Sequence, residues 1–352
     1  MIKLVILKNE IDDSHKKWQL SCENYGKEIQ YQVIDISLND WMEKINSFSP
    51  DLLLIKPSGL TAPFKSMYDE RLSILVKDLK FKCFPSYDEC LIYENKKYFS
   101  YWLKANNINH PKTDVFYFHN EANDFMNKNV NFPLVAKANI GASGSGVVIL
   151  NDVTSGLKYI KDTFGGIGAK KRVGPNLKKG KLLRRALKYI FKPKNISKKF
   201  NIYKARALDI QKDFVLFQEF IPHEYEWRVV RIGNSFFAHK KLLKNEMSSG
   251  SLLKEYSNPP IELLDYVKSI TDQFKFYSQA VDLFEFNGNY LVNEMQCIFG
   301  QSDDYQMMVD KQIGRYLFKE NNWVFEKGDF NMNESYDLRL SSAIEFYKLN
   351  LL

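Results

Sequence analysis

The chain has 352 residues, 45% of them apolar and 14% aromatic, with a formal net charge of +8. That length calls for two or three compact units, and the apolar content excludes a disordered or low-complexity chain. Unbroken apolar stretches such as Leu52 to Ile55 fall far short of the roughly 20 residues a membrane-spanning helix needs, and the four cysteines (Cys22, Cys83, Cys90, Cys297) show neither paired nor C-x-x-C spacing, so no disulfide framework or zinc module is expected.

The opening MIKLVILKNEIDD has an unbroken apolar run of only four residues, Leu4 to Leu7, with acids from Glu10 on and no small-residue cleavage site. No secretory signal is expected, and the expected address is cytosolic. Residues 1–94 alternate strand-like runs (KLVILK, IQYQVIDI, DLLLIKPSG, FKCFPS) with amphipathic stretches. This alternation predicts βα units, a largely parallel sheet and a small Rossmann-like domain. No G-x-G-x-x-G follows the first run, so NAD or FAD is not expected, and the domain reads as half of a substrate cleft.

A helical pattern covers Glu94 to Asn107, and Pro111 then forces an extended stretch before TDVFYF. In FPLVAKANIGASGSGVVIL, Lys137 ends an apolar run and is followed by Gly141, Gly144 and Gly146 interleaved with Ser143 and Ser145. A strand, flexible turn and strand can fold backbone N–H groups over phosphates while the lysine neutralises them from beneath. A hairpin that simply needs small turn residues explains the same segment, and the G-K-[ST] ending of a P-loop is absent.

Residues 165–208 hold 15 Lys and Arg and no Asp or Glu, and the remainder has 35 basic against 42 acidic residues. One segment therefore supplies the whole positive excess. Within it, Gly180 to Lys192 puts Leu182, Leu183, Ala186, Leu187, Ile190 and Phe191 at helical spacing with Arg184, Arg185 and Lys188 on the flanks. This predicts a basic amphipathic helix, read three ways: packed on its own domain, docked on an anionic membrane surface or lipid-linked anion, or facing a polyanionic acceptor. No nucleic-acid-binding motif accompanies it.

Further runs, DFVLFQEFI, EWRVVRIG, SFFAHKK, AVDLFEF and NYLVNEMQ, are joined in part by short turns such as IGNS and NGN, which predicts hairpins and an α+β unit with antiparallel sheets. Glu226 and Arg228, at i and i+2, share one strand face. Asp282 precedes a hairpin closed at Asn287 to Asn289, and Glu294 and Gln296 lie on the returning strand, so all three oxygens aim to one side. Such oxygens suit Mg2+ bridging nucleotide phosphates, and solvated strand residues share the spacing. His239 and His223 read as structural or solvated. The chain after Arg315 is helical and polar by turns.

Taken in order, these elements resemble the ATP-grasp superfamily, nearest its ribosomal-protein glutamate ligase and glutathione synthetase branch. NKKYFSYWLKANNINHPKT is similar to the family's segment carrying its first nucleotide-binding lysine, which implies that role for Lys96, with Asn95 in place of the usual Asp. FPLVAKANIGASGSGV is similar to the phosphate-covering loop, implying ATP contacts for Lys137, Gly141, Ser143, Gly144, Ser145 and Gly146. VLFQEFI is similar to the hinge that holds adenine, implicating Gln218, Glu219, Phe220 and Ile221. EWR stands where the family has D-x-R, which implies that Arg228 holds phosphate or acyl-phosphate oxygen, with Glu226 beside it. The A-x-x-R position places Lys241 near the substrate, and the D…E-x-N set implies Asp282, Glu294 and Gln296 as metal ligands. Gln296 for Asn and Glu226 for Asp each add a methylene, and Lys241 for Arg loses the bidentate fork.

The resemblance implies a Rossmann-like domain over 1–94, an N-subdomain over 95–213 that carries the basic insertion, a C-subdomain over 214–315 and a tail over 316–352. It also implies an ATP- and Mg2+-dependent (or Mn2+-dependent) carboxylate–amine ligase. The substrate carboxylate would take the γ-phosphoryl group to give an acyl phosphate and ADP, and an amine would then form an amide. The basic insertion suggests an acidic or lipid-linked surface-polysaccharide precursor and a peripheral place at the inner face of the membrane. A kinase-like phosphotransferase and a non-catalytic nucleotide-binding protein are the other readings.

Overall fold

The computed structural model describes all residues except 12, 129, 142–143, 175–192, 245–246, 249–252 and 300–302. The expected basic helix over Gly180 to Lys192 and the expected loop residue Ser143 lie outside the described residues. Each apolar run read as a strand forms one.

The chain begins with β1 (Ile2–Lys8), α1 (Lys16–Tyr25), β2 (Ile29–Asp35), α2 (Trp41–Phe48), β3 (Leu52–Ile55), α3 (Ala62–Ser73) and β4 (Cys83–Phe84). The four strands form a parallel sheet in the order β2-β1-β3-β4. All four residues of β3 are buried, as expected of a strand covered on both faces by βα crossovers. Helix α4 (Tyr87–Ile92) starts on a capping box: Ser86 Oγ accepts from the Glu89 amide at 3.3 Å, and Glu89 Oε2 accepts from the Ser86 amide at 2.8 Å. Helix α5 (Lys96–Ala105) is capped by Asn95, whose Oδ1 accepts from the Tyr98 amide at 3.4 Å. Asn95 thus serves α5 in the position where the resemblance has Asp.

The middle unit runs β5 (Thr113–Phe116), α6 (His119–Asn127), β6 (Leu134–Lys137), β7 (Val147–Leu150), α7 (Val153–Phe164), α8 (Pro193–Leu208) and β8 (Val215–Glu219). Its antiparallel sheet has the order β5-β8-β6-β7 over a core that includes Phe116, Ala136, Ile160 and Phe217.

The last unit contains β9 (Tyr225–Ile232), β10 (Ser235–Lys244), β11 (Met247–Ser248), β12 (Lys254–Glu255), α9 (Ile261–Gln273), β13 (Ser278–Phe286), β14 (Asn289–Gln296), β15 (Met308–Val309), β16 (Gln312–Lys319), β17 (Asn322–Lys327) and α10 (Tyr336–Lys348). The main path of its sheet is β14-β13-β9-β10-β16-β15. The β13–β14 hairpin turns on Asn287 and Gly288, both at positive φ, as a two-residue turn that matches strand twist requires. One face of this sheet is apolar: Trp227, Val229, Val281 and Val292 pack under α9 and α5. Trp102 of α5 sits 4.7 Å from Phe274 and 5.6 Å from Phe276, ring pairs each contributing about 0.5–1.5 kcal/mol beyond their burial. The opposite face is free to carry polar side chains.

The division drawn at 315/316 falls inside β16, and the segment beyond it belongs to both ends of the molecule. β17 extends the large sheet, while Tyr336, Leu340, Ala343 and Ile344 of α10 join the core of the parallel sheet. Trp18 and Tyr336 meet edge to face at 5.0 Å. Helix α10 thereby clamps the first unit against the last.

Candidate active site

Antiparallel register, which no spacing within a single strand reveals, lines up one row of polar side chains across four strands. His239 of β10 is opposite Arg228 of β9, Arg228 is opposite Asp282 of β13, and Asp282 is opposite Glu294 of β14. Side chains alternate in direction along a strand, so Lys241 and Glu226 form a second row on the same face, and Ala280 and Gln296 a third. A register shift between Asp282 and Leu283 leaves Asn293 as the extra residue of β14, and such bulges re-aim side chains beside functional sites.

Within the rows the charges are paired. Arg228 grips Asp282 in a fork, Nε to Oδ1 at 2.6 Å and Nη2 to Oδ2 at 2.7 Å. Lys241 Nζ donates to Asp282 Oδ2 at 2.7 Å and to Glu226 Oε2 at 2.5 Å. All four side chains are buried. Burial alone would raise the proton affinity of Asp282, but the Arg228 and Lys241 charges overcome it and hold the carboxyl well below the usual carboxylate range. Burial likewise works against the charge on Lys241, and Asp282 and Glu226 more than restore it, so its proton affinity is raised. Two cations and two carboxylates compensate one another.

Glu294 differs. Burial raises its proton affinity, Glu94 and Asp282 raise it further, and Lys96 and Lys241 only partly offset this. Its Oε1 accepts from Gln296 Nε2 at 3.1 Å, and the Gln296 oxygen lies 3.5 Å from Arg228 Nη2.

The opposing wall comes from the middle unit. Lys137, at the end of β6, reaches Asn293 Oδ1 at 3.1 Å, and Asn293 Nδ2 in turn reaches Glu226 Oε1 at 3.1 Å, so the bulge residue ties the two sheets together. Burial, then the Lys96 charge, pushes the Lys137 ammonium down to about 8. Lys96 Nζ contacts the Gly141 carbonyl at 3.1 Å and Glu94 Oε2 at 3.4 Å. The same Glu94 oxygen accepts from the Gly141 amide at 3.3 Å, while Glu94 Oε1 is buried without a partner among the described residues. Gly144 sits at φ +64°, and a Cβ on Gly146 would lie 2.6 Å from that of Ala138, so the ribbon closes only with glycine there. Gln211 clamps the loop by accepting from the Ile140 amide at 2.9 Å and donating to the Ile140 carbonyl at 2.8 Å. Ser145 is buried, and its carbonyl accepts from the Arg172 amide at 2.6 Å.

Of the expected hinge, Gln218 and Glu219 end β8. The Gln218 amide is spent on Thr113 Oγ1 at 3.1 Å, and Glu219 is exposed beside Lys112. Phe220 and Ile221 follow outside the sheet, and His223 Nδ1 lies 2.7 Å from the Ile221 carbonyl.

Lys96, Lys137, Arg228, Lys241, Glu226, Asp282, Glu294 and Gln296 thus converge. Sequence reasoning missed Glu94, Asn293 and Gln211 and set His239 aside. His239 is buried, its Nε2 has no partner among the described residues, and burial, followed by Lys254 and Arg228, holds its proton affinity well below the ordinary value. Hard-cation chemistry fits part of the expected ligand set. Burial and the neighbouring acids Glu94 and Asp282 disfavour the negative charge of Glu294, a cost that a hard cation at that carboxyl would relieve, and the Gln296 amide stands beside it. Asp282 does not match the expectation of a ligand aimed at a metal, because both its oxygens are taken by Arg228 and Lys241. Among the described residues there is no group of three His, Cys, Asp or Glu able to hold a metal ion. No helix among them is long and apolar enough to cross a membrane.

No protein-family model and no curated protein sequence matches the chain. Solved structures do match in fold. D-alanine–D-alanine ligase from Bacillus anthracis superposes with a TM-score of 0.52 at 13% identity, over 99% of this chain and 100% of that one; a second structure of that ligase is complexed with ATP. N5-carboxyaminoimidazole synthetase from Staphylococcus aureus superposes with a TM-score of 0.54 at 11% identity, over 97% of this chain and 77% of the other. An ATP-grasp protein with a RimK domain from Sphaerobacter thermophilus gives a TM-score of 0.50 at 13% identity, over 83% and 90%.

Proposed function

We propose, from the ATP-grasp fold that this chain shares with those structures, that it is an ATP- and Mg2+-dependent, ADP-forming carboxylate–amine ligase. The observation that carries the reading is the in-register row of Arg228, Asp282 and Glu294, set against Lys137 and Lys96 of the opposing wall. Cations for phosphate and a buried carboxyl whose charge its lysines only partly offset face each other here.

In this reading Lys96 and Lys137 grip the phosphates of ATP and the glycine ribbon covers them. Glu294 and Gln296 hold Mg2+, which when bound supplies neutralisation of phosphate charge. Asp282 fixes the guanidinium of Arg228 and the ammonium of Lys241 instead of coordinating the ion. Arg228 then meets the charge that builds as an oxygen of the substrate carboxylate bonds to the γ-phosphorus and the bond to ADP breaks. In the second step the amine nitrogen bonds to the activated carbonyl carbon, phosphate leaves, and the amine gives up a proton. The protein contributes alignment and pre-set charge, with no nucleophile of its own.

The acceptor is read as acidic or lipid-linked, supported by the charge of 165–208. Helix α8 within that segment exposes Phe200, and Ile210 is exposed just beyond it, beside cationic residues such as Lys204. Vesicles of anionic lipid should bind the full chain and lose it on deletion of residues 170–200; binding that survives the deletion removes this assignment.

Incubation with Mg-ATP and pooled acids and amines tests the reaction. Release of ADP together with an amide product is the expected result. ADP with a phosphorylated acid as end product would make the chain a phosphotransferase, AMP with pyrophosphate would make it adenylating, and no turnover with intact ATP binding would favour a non-catalytic role.

A further inference from the structure

The charges around Arg228 are matched, and those around a second pair of cations, Arg339 buried and Lys56 partly buried, are not. Lys56 directly follows β3, at the carboxyl ends of the parallel strands, where open α/β sheets take their ligands. Its partly buried ammonium has no hydrogen-bond or ion-pair partner among the described residues. Arg339 of α10 is fully buried, its guanidinium 4.6 Å from the ring of Phe299 and 5.3 Å from that of Tyr336. Nε donates to Ser278 Oγ at 3.3 Å and Nη1 to the Glu334 carbonyl at 3.2 Å, while Nη2 is buried with no partner among the described residues.

Counter-charge is scarce. The Glu334 carboxylate is taken by Lys17 at 3.2 Å. Glu89, on the far side of Ser278, accepts from the Ser278 amide at 2.8 Å, and burial pushes its carboxyl up to about 7, so it is a weak anion. Burial lowers the proton affinity of Lys56, where Glu334 opposes but Arg339 and Lys17 add to the effect, and that of Arg339, which falls to about 10. Buried cations without counter-charge are costly unless a ligand brings it.

We propose that Lys56 and Arg339 anchor a carboxylate at the remote end of the substrate whose other end reacts beside Arg228. The proposal rests on the ligase reading and names the substrate class: an elongated acid with a second carboxylate. The spacing supports it. Ser278, which holds Arg339, and Asp282, which holds Arg228, are four residues apart on β13, roughly 14 Å at about 3.4 Å per residue. An extended acid about as long as four residues of chain bridges that span. Remote binding of this kind is spent on orienting the reacting end, so truncated acids should lose turnover as well as affinity.

Calorimetric titration of the full chain with succinate, at constant ionic strength, tests the anchor. Wild type should bind saturably, Lys56→Gln should weaken binding by at least about tenfold, and Lys56→Arg should keep it within about threefold, as expected when one charge-assisted hydrogen bond is lost or retained. Mg-ATP affinity, measured on the same samples, should be unchanged in both variants and reports that the site is folded. Equal succinate affinity in Lys56→Gln, no succinate binding by wild type, or equally tight inorganic phosphate would each overturn the proposal. Loss of Mg-ATP binding in wild type with succinate binding intact would instead remove the ligase reading and leave the anchor standing.

Discussion

The two buried charge clusters are built from the same kinds of side chain and differ in balance. Around Asp282, two cations and two carboxylates saturate one another with bonds of 2.5–2.7 Å. Around Arg339, one guanidinium nitrogen and the neighbouring Lys56 have no partner among the described residues. A balanced cluster is rigid before any ligand arrives, which suits groups that must already point at a transferring phosphoryl group. An unbalanced one is held at a cost and is relieved by an anion.

That contrast predicts opposite signs for mutations that each remove one charge. Asp282→Ala strands Arg228 in a dry site and leaves Lys241 with Glu226 alone, and should cost about 3–5 kcal/mol in urea unfolding, the range for breaking a buried pair. An unchanged midpoint would mean that the pairs are not formed in solution. Glu294→Ala should leave the chain folded and lower ATP-dependent turnover by about 10²–10³, the range for deleting one electrostatic clamp. Because burial and two acids raise the proton affinity of Glu294, the folded state binds its proton more tightly than the unfolded state does. Its contribution to stability is therefore lost as pH rises above the ordinary carboxylate range, and Glu294→Gln should flatten that fall.

Lys137 carries the reverse sign. Its ammonium is depressed from 10.5 to about 8, so between those values the unfolded chain binds the extra proton and stability rises with pH. Lys137→Met should abolish that rise. Nucleotide affinity, which draws on the protonated lysine, should fall in wild type as pH passes about 8 and show no such step in the variant. The smallest effect is expected at Lys56, where Lys56→Gln removes an uncompensated charge and should stabilise the chain by about 1 kcal/mol. Destabilisation there would mean that a counter-charge is present.

Much of this fold is visible in the chain itself because period-two alternation and short turns are local. EWRVVRIGNSFFAHKK shows two strands and a tight turn, and the same turn fixes that His239 faces Arg228, a pairing that spacing inside either strand cannot reveal. Lys137 and the glycines stand out as a strand that meets a flexible ribbon. Asn293 does not, because a bulge is a property of two paired strands. Asp282 was legible as an acid on the right face, but its capture by Arg228 depends on the β9–β13 pairing across 54 residues of sequence. Gln218 was legible as a hinge residue, whereas its bond to Thr113 follows from the pairing of β5 with β8. Helix α10 has only a weakly amphipathic pattern because it is buried against two units at once, and with it Arg339 escaped notice.

The central claim is that Glu294 and its neighbours await a cation that accompanies a nucleotide. Equilibrium binding of ATP, with and without Mg2+, to wild type and Glu294→Ala tests it without knowledge of the substrate. The account predicts that Mg2+ strengthens ATP binding by about tenfold or more in wild type and hardly at all in the variant. ATP binding that is indifferent to Mg2+, or equally Mg2+-dependent in both proteins, would contradict it.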